Sequence, residues 1–121
     1  MNILVVDDDP DIRELVSFKL SHMGHTVSSE NDGEAGLAAA LEAVPDLVLL
    51  DLMMPKMTGL EVCQRLRADD RTRDIPIVLI TAKAQEADIE RGFAAGADDY
   101  IVKPFSPREL ASRVDAVLAR D

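Results

Sequence analysis

Short apolar runs alternate with longer stretches of helical periodicity along the whole chain. The runs are Ile3–Val6, Thr26–Ser28, Leu47–Leu50, Ile77–Ile80 and Tyr100–Val102. The first, third and fourth are continuously apolar, as strands buried on both faces of a parallel sheet are. The second is short and half polar, which predicts an edge strand. Between the runs, Ile12, Leu15, Val16, Leu20 and Met23 recur at the spacing of one helix face, as do Leu110, Val114, Val117 and Leu118. Start signals agree with that reading. Asp9-Pro10 places a cap before a proline whose missing N–H costs nothing, and Thr58-Gly59-Leu60-Glu61 and Ser106-Pro107-Arg108-Glu109 both read as capping boxes. A further helix over Asp88–Ala95 has a poor apolar stripe beyond Ile89 and Phe93. The alternation predicts five βα units with right-handed crossovers, a doubly wound α/β sandwich. With no repeat, low-complexity segment or linker, residues 1–121 read as one domain.

In such a sheet, function gathers where the carboxyl ends of the strands meet the following loops. The run Leu47–Leu50 leads directly into Asp51, and the run Ile3–Val6 into Asp7, Asp8 and Asp9. Asp9 suits a helix cap. Adjacent strand residues point to opposite faces, so Asp7 and Asp8 converge only if the chain has left the strand and turned over its end. If the first and third strands are neighbours, Asp7, Asp8 and Asp51 share one pocket. Two carboxylates about 4 Å apart near a surface repel by roughly 4 kcal/mol, so three form a liability without a cation. An oxygen-only set of this kind suits Mg²⁺, which keeps several waters and completes its shell with phosphate. Thr81 ends the fourth run and Lys103 follows the fifth. Singly, they are an ordinary β-former and an ordinary solvated lysine. Together, beside a metal and a carboxylate nucleophile, the hydroxyl can hydrogen-bond a phosphoryl oxygen and the ammonium can neutralise it.

Charge and composition narrow the picture further. Thirteen basic residues against twenty-three acidic ones give a formal charge of −10, which repels a phosphate backbone or an anionic lipid surface. Direct nucleic-acid or membrane binding by this segment is not expected. Aromatic residues make up 3% of the chain, too few for stacking platforms. The single cysteine, Cys63, lies in a helical pattern and reads as a small core residue. His22 and His25 flank the turn after the first helix and read as surface residues. Without a signal peptide or a long apolar run, a cytoplasmic location is expected.

The segments "ILVVDDDP", "LVLLDLMMPKMTGLE", "IPIVLITA" and "GADDYIVKPFSPREL" resemble, in order, spacing and residue type, the receiver domain of two-component response regulators. The resemblance spans essentially the whole chain and is greatest to receivers that precede winged-helix DNA-binding domains. It implies strand order 2-1-3-4-5, which the pattern alone leaves open. It also implies that Asp51 accepts a phosphoryl group from a sensor histidine kinase. Asp8, Asp51 and the Met53 carbonyl would hold Mg²⁺, with Asp7 acting through a water. Thr81, Ala82 and Lys103 would bind the phosphoryl group, and Thr81 and Tyr100 would change rotamer together. Lys103-Pro104 would be a cis peptide, a state that X–Pro bonds alone reach cheaply. Asp98, Asp99, Glu109 and Arg113 would lie on a face made by the fourth helix, fifth strand and fifth helix. That face would pair two phosphorylated copies or control a C-terminal DNA-binding output domain. The winged-helix subgroup tends to pair a basic residue there with an acid near Glu109, where this chain has Ile89. Such a domain is not an enzyme beyond phosphorylating itself from phosphodonors and dephosphorylating itself.

Rival readings are weaker. A flavin carrier of the same fold needs a phosphate-cradling loop where this chain has Asp7–Asp9. A carboxylate-nucleophile phosphatase needs a second acid at position 53, which is Met. A degenerate receiver that only binds partners is at odds with the complete set Asp7, Asp8, Asp51, Thr81 and Lys103.

Overall fold

The structure is a computed structural model that describes residues 1–82 and 85–120. Its elements run β1 (Asn2–Val6), α1 (Pro10–His22), β2 (Thr26–Glu30), α2 (Gly33–Ala43), β3 (Leu47–Asp51), α3 (Gly59–Ala68), β4 (Ile77–Thr81), α4 (Glu86–Ala94), β5 (Asp99–Val102) and α5 (Pro107–Leu118). The strands form one parallel sheet in the order β2-β1-β3-β4-β5.

Alternation along each strand divides the core between two faces of the sheet. Leu4, Val6, Val48, Leu50, Ile77 and Leu79 pack with Ala40 of α2 and with Val62, Cys63 and Leu66 of α3. Ile3, Val5, Leu47, Leu49, Val78, Ile80 and Ile101 pack with Val16 and Leu20 of α1 and with Leu110, Val114 and Val117 of α5. β3 and β4 are buried at every position, which accounts for the unbroken apolar runs Leu47–Leu50 and Ile77–Ile80 that precede their terminal Asp51 and Thr81. The half-polar β2 is an edge strand, as its composition predicts, and extends two residues beyond the predicted Thr26–Ser28, to Glu30.

Helix starts follow the sequence signals. Asp9, Thr58 and Ser106 cap α1, α3 and α5, each accepting a backbone N–H of the first turn. The helix that periodicity marks least is α2, because its sheet-facing positions include Gly36 and Ala40 rather than large apolar residues. A Cβ at Gly36 would stand 2.6 Å from Val6 Cγ1, so the small residue is what lets α2 approach the sheet. No helix among the described residues is long and apolar enough to cross a membrane.

Candidate functional site

β3 carries its last ladder position at Asp51, opposite Ile80 of β4. The side chain therefore belongs to the strand, and the chain leaves the sheet only after it. The following loop is held close: Leu52 N–H donates to the Ile80 carbonyl at 3.0 Å, and Gly59 N–H donates to the Leu52 carbonyl at 3.0 Å. A Cβ at Gly59 would collide with the Asp51 carbonyl, so the start of α3 must be glycine for the loop to fold back over the strand end.

At β1 the chain does turn over the sheet edge. Asp7 lies just beyond Val6 and extends the ladder once, its N–H donating to the Glu30 carbonyl at 3.2 Å. Its Oδ1 accepts the Asp9 N–H at 2.9 Å, an Asx turn, and Asp9 in turn accepts the Asp11 N–H at 2.9 Å. Arg13, on the first turn and a half of α1, reaches back so that its Nη1 donates to the Asp7 carbonyl at 2.7 Å. Carboxylate oxygens of Asp7, Asp8 and Asp51 consequently lie within 4.8 Å of one another.

Their burial differs sharply. Asp7 is wholly buried, Asp51 is 6% exposed and Asp8 is exposed. Lys103, directly after β5, places its ammonium 3.0 Å from Asp7 Oδ2 and 3.5 Å from Asp51 Oδ2. Its backbone is tied to the neighbouring strand, with Lys103 N–H donating to the Thr81 carbonyl at 2.8 Å, and the Lys103-Pro104 peptide is cis. Burial pulls the Lys103 pKa down, but the adjacent Asp7 and Asp51 outweigh it and the net direction is up. Asp51 Oδ1 accepts the Met53 N–H at 3.3 Å. Burial first, and the charge of Asp7 second, push the Asp51 carboxyl up to about 7, against the opposing pull of Lys103.

Among the described residues, the Lys103 ammonium is shared between two carboxylates of a cluster of three. Asp7 Oδ2 is buried without an aligned hydrogen bond and has the Lys103 charge beside it as an ion pair. A negatively charged pocket of hard oxygens, with a buried oxygen still lacking a directed partner, fits a divalent cation of the Mg²⁺ or Ca²⁺ kind rather than a soft metal. The cluster can therefore hold a metal ion.

The remaining predicted residues fall in two places. Thr81 is buried at the end of β4, beside Lys103, while Ala82 and the Met53 side chain are exposed. Tyr100 is half-buried on β5, with the Phe93 ring edge-on at a 5.9 Å centroid distance and the Arg113 guanidinium 5.9 Å from its ring centre. Arg113 also pairs with Asp99 at 3.1 Å within the same chain. Glu109 donates its backbone N–H to Ser106, and Ile89 is half-buried on α4. Asp98 is committed elsewhere. Its Oδ2 accepts Arg67 Nη2 at 3.0 Å and Ile77 N–H at 2.8 Å, at the amino ends of β4 and β5 and so at the opposite end of the strands from Asp51. Sequence reasoning did not single out Arg13 or Arg67, because an arginine at a polar helix position carries the same signal whether it is solvated or clamps a distant carbonyl.

Comparison with known proteins agrees with this geometry. Residues 3–115 match the response regulator receiver domain family. The DNA-binding dual master transcriptional regulator RpaA of Synechocystis sp. is 51% identical over 118 residues, covering 98% of this chain and 49% of that protein. The chain spans about half the length of the curated relatives it matches. A solved structure of a putative response regulator from Chloroflexus aurantiacus is 36% identical with a TM-score of 0.93, covering 98% of each chain. The receiver domain of a sensor histidine kinase of Pseudomonas aeruginosa, with a magnesium ion coordinated in its active-site cleft, is 29% identical with a TM-score of 0.91, again over 98% of each chain. With a family match over nearly its full length and the fold and acidic pocket to go with it, the chain belongs to the response regulator receiver domain family.

Proposed function

We propose that Asp51 is the phosphoacceptor of this receiver domain, phosphorylated by a sensor histidine kinase in the cytoplasm. The observation that carries the reading is a buried strand-end carboxylate with the Lys103 ammonium 3.5 Å away and two further acids within 4.8 Å. The ionised Asp51 oxygen attacks phosphorus, its O–P bond forms as the P–N bond to the kinase histidine breaks, and the leaving imidazole takes up a proton. Lys103 neutralises one phosphoryl oxygen and the Thr81 hydroxyl hydrogen-bonds another, with the exposed Ala82 offering its backbone alone. Mg²⁺, when bound, supplies the positive charge that brings an anionic phosphoryl group to an acidic pocket. Asp8, Asp51 and the Met53 carbonyl would hold it, with Asp7 acting through a water. The magnesium-containing receiver of the Pseudomonas kinase supports that choice of ion.

A phosphoryl group on Asp51 brings close to two negative charges to the end of β3, next to the end of β4. With Thr81 drawn toward it, space opens for Tyr100 to turn inward, altering the surface of Asp99, Glu109, Arg113 and Phe93. That face then favours a second copy of the domain, or an output domain of the DNA-binding kind that RpaA's description implies. Self-phosphorylation from small phosphodonors and self-dephosphorylation complete the cycle.

Incubation with a small acyl phosphate, followed by intact mass, tests the site. A phosphate adduct that needs Mg²⁺, is labile to hydroxylamine and is lost in Asp51→Asn is the expected result. No adduct on the wild type, or one retained by the variant, would leave the domain as a partner-binding receiver without phosphoacceptor chemistry at Asp51. Sedimentation with and without beryllofluoride at tens of micromolar tests pairing, since an unchanged mass rules out a dimer of micromolar affinity.

A further inference from the structure

The acids of the pocket come from two segments, and β3 presents Asp51 by ordinary strand geometry. Asp7 and Asp8 are different. They are adjacent in the chain, so a regular backbone would send them to opposite sides, and their convergence depends on how the peptide joining them is set. That peptide's carbonyl is the one gripped by Arg13, at 2.7 Å. The groups on either side of it are also held: Asp7 N–H by Glu30, Asp7 Oδ1 by the Asp9 N–H, and the Asp9 carbonyl by the Arg13 N–H at 3.1 Å. Asp8 itself is exposed, so packing does not hold its side chain, and its direction depends on its backbone and on the Asp51 carboxyl it faces.

We propose that Arg13 is a positioning residue for the metal and phosphoryl site: its guanidinium fixes the Asp7–Asp8 peptide plane so that both carboxylates face Asp51. The inference rests on the reading of the pocket as a Mg²⁺-dependent phosphoacceptor site, and it assigns a task to a residue outside that set. Partners that orient metal ligands from behind are worth about 10- to 100-fold in metal affinity in well-studied sites. Arg13 also has an electrostatic effect of the opposite sign. A guanidinium near the pocket repels a dication, so its charge alone would weaken Mg²⁺ binding and its removal would strengthen it. The direction of change therefore separates positioning from mere charge.

The test is a Mg²⁺ titration without phosphodonor, by calorimetry and by backbone amide shifts of residues 7–9 and 51–53, on wild type, Arg13→Lys and Arg13→Gln. Expected is a Kd weakened about tenfold in Arg13→Gln and by a smaller factor in Arg13→Lys, which keeps the charge but loses the planar fork. Thermal midpoints in chelator should stay within about 3 °C of wild type, since one partly exposed hydrogen bond is at stake. Equal or tighter Mg²⁺ binding by Arg13→Gln overturns the inference. If that variant does not fold, Arg13→Lys decides by itself, with weaker binding at unchanged charge in support and unchanged binding against. A wild type that binds no Mg²⁺ would overturn the reading of the pocket and this inference with it, whereas binding that Arg13→Gln retains would overturn this inference alone.

Discussion

The two ends of the sheet treat charge in opposite ways. At the carboxyl ends of β1 and β3, Lys103 is divided between Asp7 and Asp51 with Asp8 close by. At the amino ends of β4 and β5, Arg67 of α3 spends its donors on a full set of acceptors. They are the Gly96 carbonyl twice, at 3.0 and 2.8 Å, the Arg73 carbonyl at 2.8 Å, the Ile75 carbonyl at 2.6 Å and Asp98 at 3.0 Å. Asp98 is satisfied from the other side by the Ile77 N–H. The fork of one guanidinium thus ties α3, the loop before β4 and the loop before β5 together, with Gly96 at φ +111° where a side chain would also meet Arg67. One end is built to be stable. The other keeps surplus negative charge that only a bound cation would compensate, a trade of stability for function.

The comparison can be broken most forcefully at the stable end. Arg67→Met should leave the carbonyls of Gly96, Arg73 and Ile75 short of donors and Asp98 without its cation, for a loss of about 3 kcal/mol in urea melts. The loss should be the same in chelator and in Mg²⁺. A loss under about 1 kcal/mol would mean that water replaces the guanidinium easily and the two ends are not so different.

At the acidic end, adding the metal should stabilise the wild type by about 2.7 kcal/mol at a hundred times its Kd, as mass action requires. Asp51→Asn should gain much less. Equal gains would place the ion elsewhere.

A smaller effect, of opposite sign to that of Arg67, is expected from Asp51→Asn in chelator at pH 8: a gain of about 2 kcal/mol. The carboxyl has a folded pKa near 7, above its ordinary value of 3.8, chiefly because of burial and then because of Asp7. An acid with a raised folded pKa binds more protons folded than unfolded between those values. Wild-type stability from this group is therefore present below about pH 4 and is lost as pH rises toward 7. The Asn variant should show a flatter profile across that window, and its advantage should vanish at its acid end. A parallel pair of pH profiles would show that Asp51 is not strained.

Asp7→Asn should have the smallest effect in chelator, within about 1 kcal/mol of wild type. It relieves repulsion with Asp51 but gives up the ion pair with Lys103 at 3.0 Å, two contributions of opposite sign. Crowding alone would make this substitution clearly stabilising. A gain as large as that of Asp51→Asn in the same urea melts would show that Lys103 does not belong to Asp7.

Much of this was legible in the chain itself. Unbroken apolar runs mark β3 and β4 because both faces of those strands are covered. Asp9, Thr58 and Ser106 mark helix starts because capping is a local bond within three residues. Asp51, Thr81 and Lys103 stand out because polar groups at or just after the carboxyl ends of buried strands fall at one end of any parallel sheet. What the pattern left open was which strands are neighbours, and the resemblance to receivers filled that gap before the parallel register of β1 with β3 bore it out. Tertiary structure alone decided the rest. Lys103 pairs with Asp7 as well as Asp51, Arg13 grips the Asp7 carbonyl, and Arg67 and Asp98 lock the far end. Periodicity records how much of a side chain is buried, whereas an ion pair or a clamped carbonyl depends on which distant segments the fold brings within 3 Å or so, and a charged residue on a helix carries no sign of that in its neighbours along the chain.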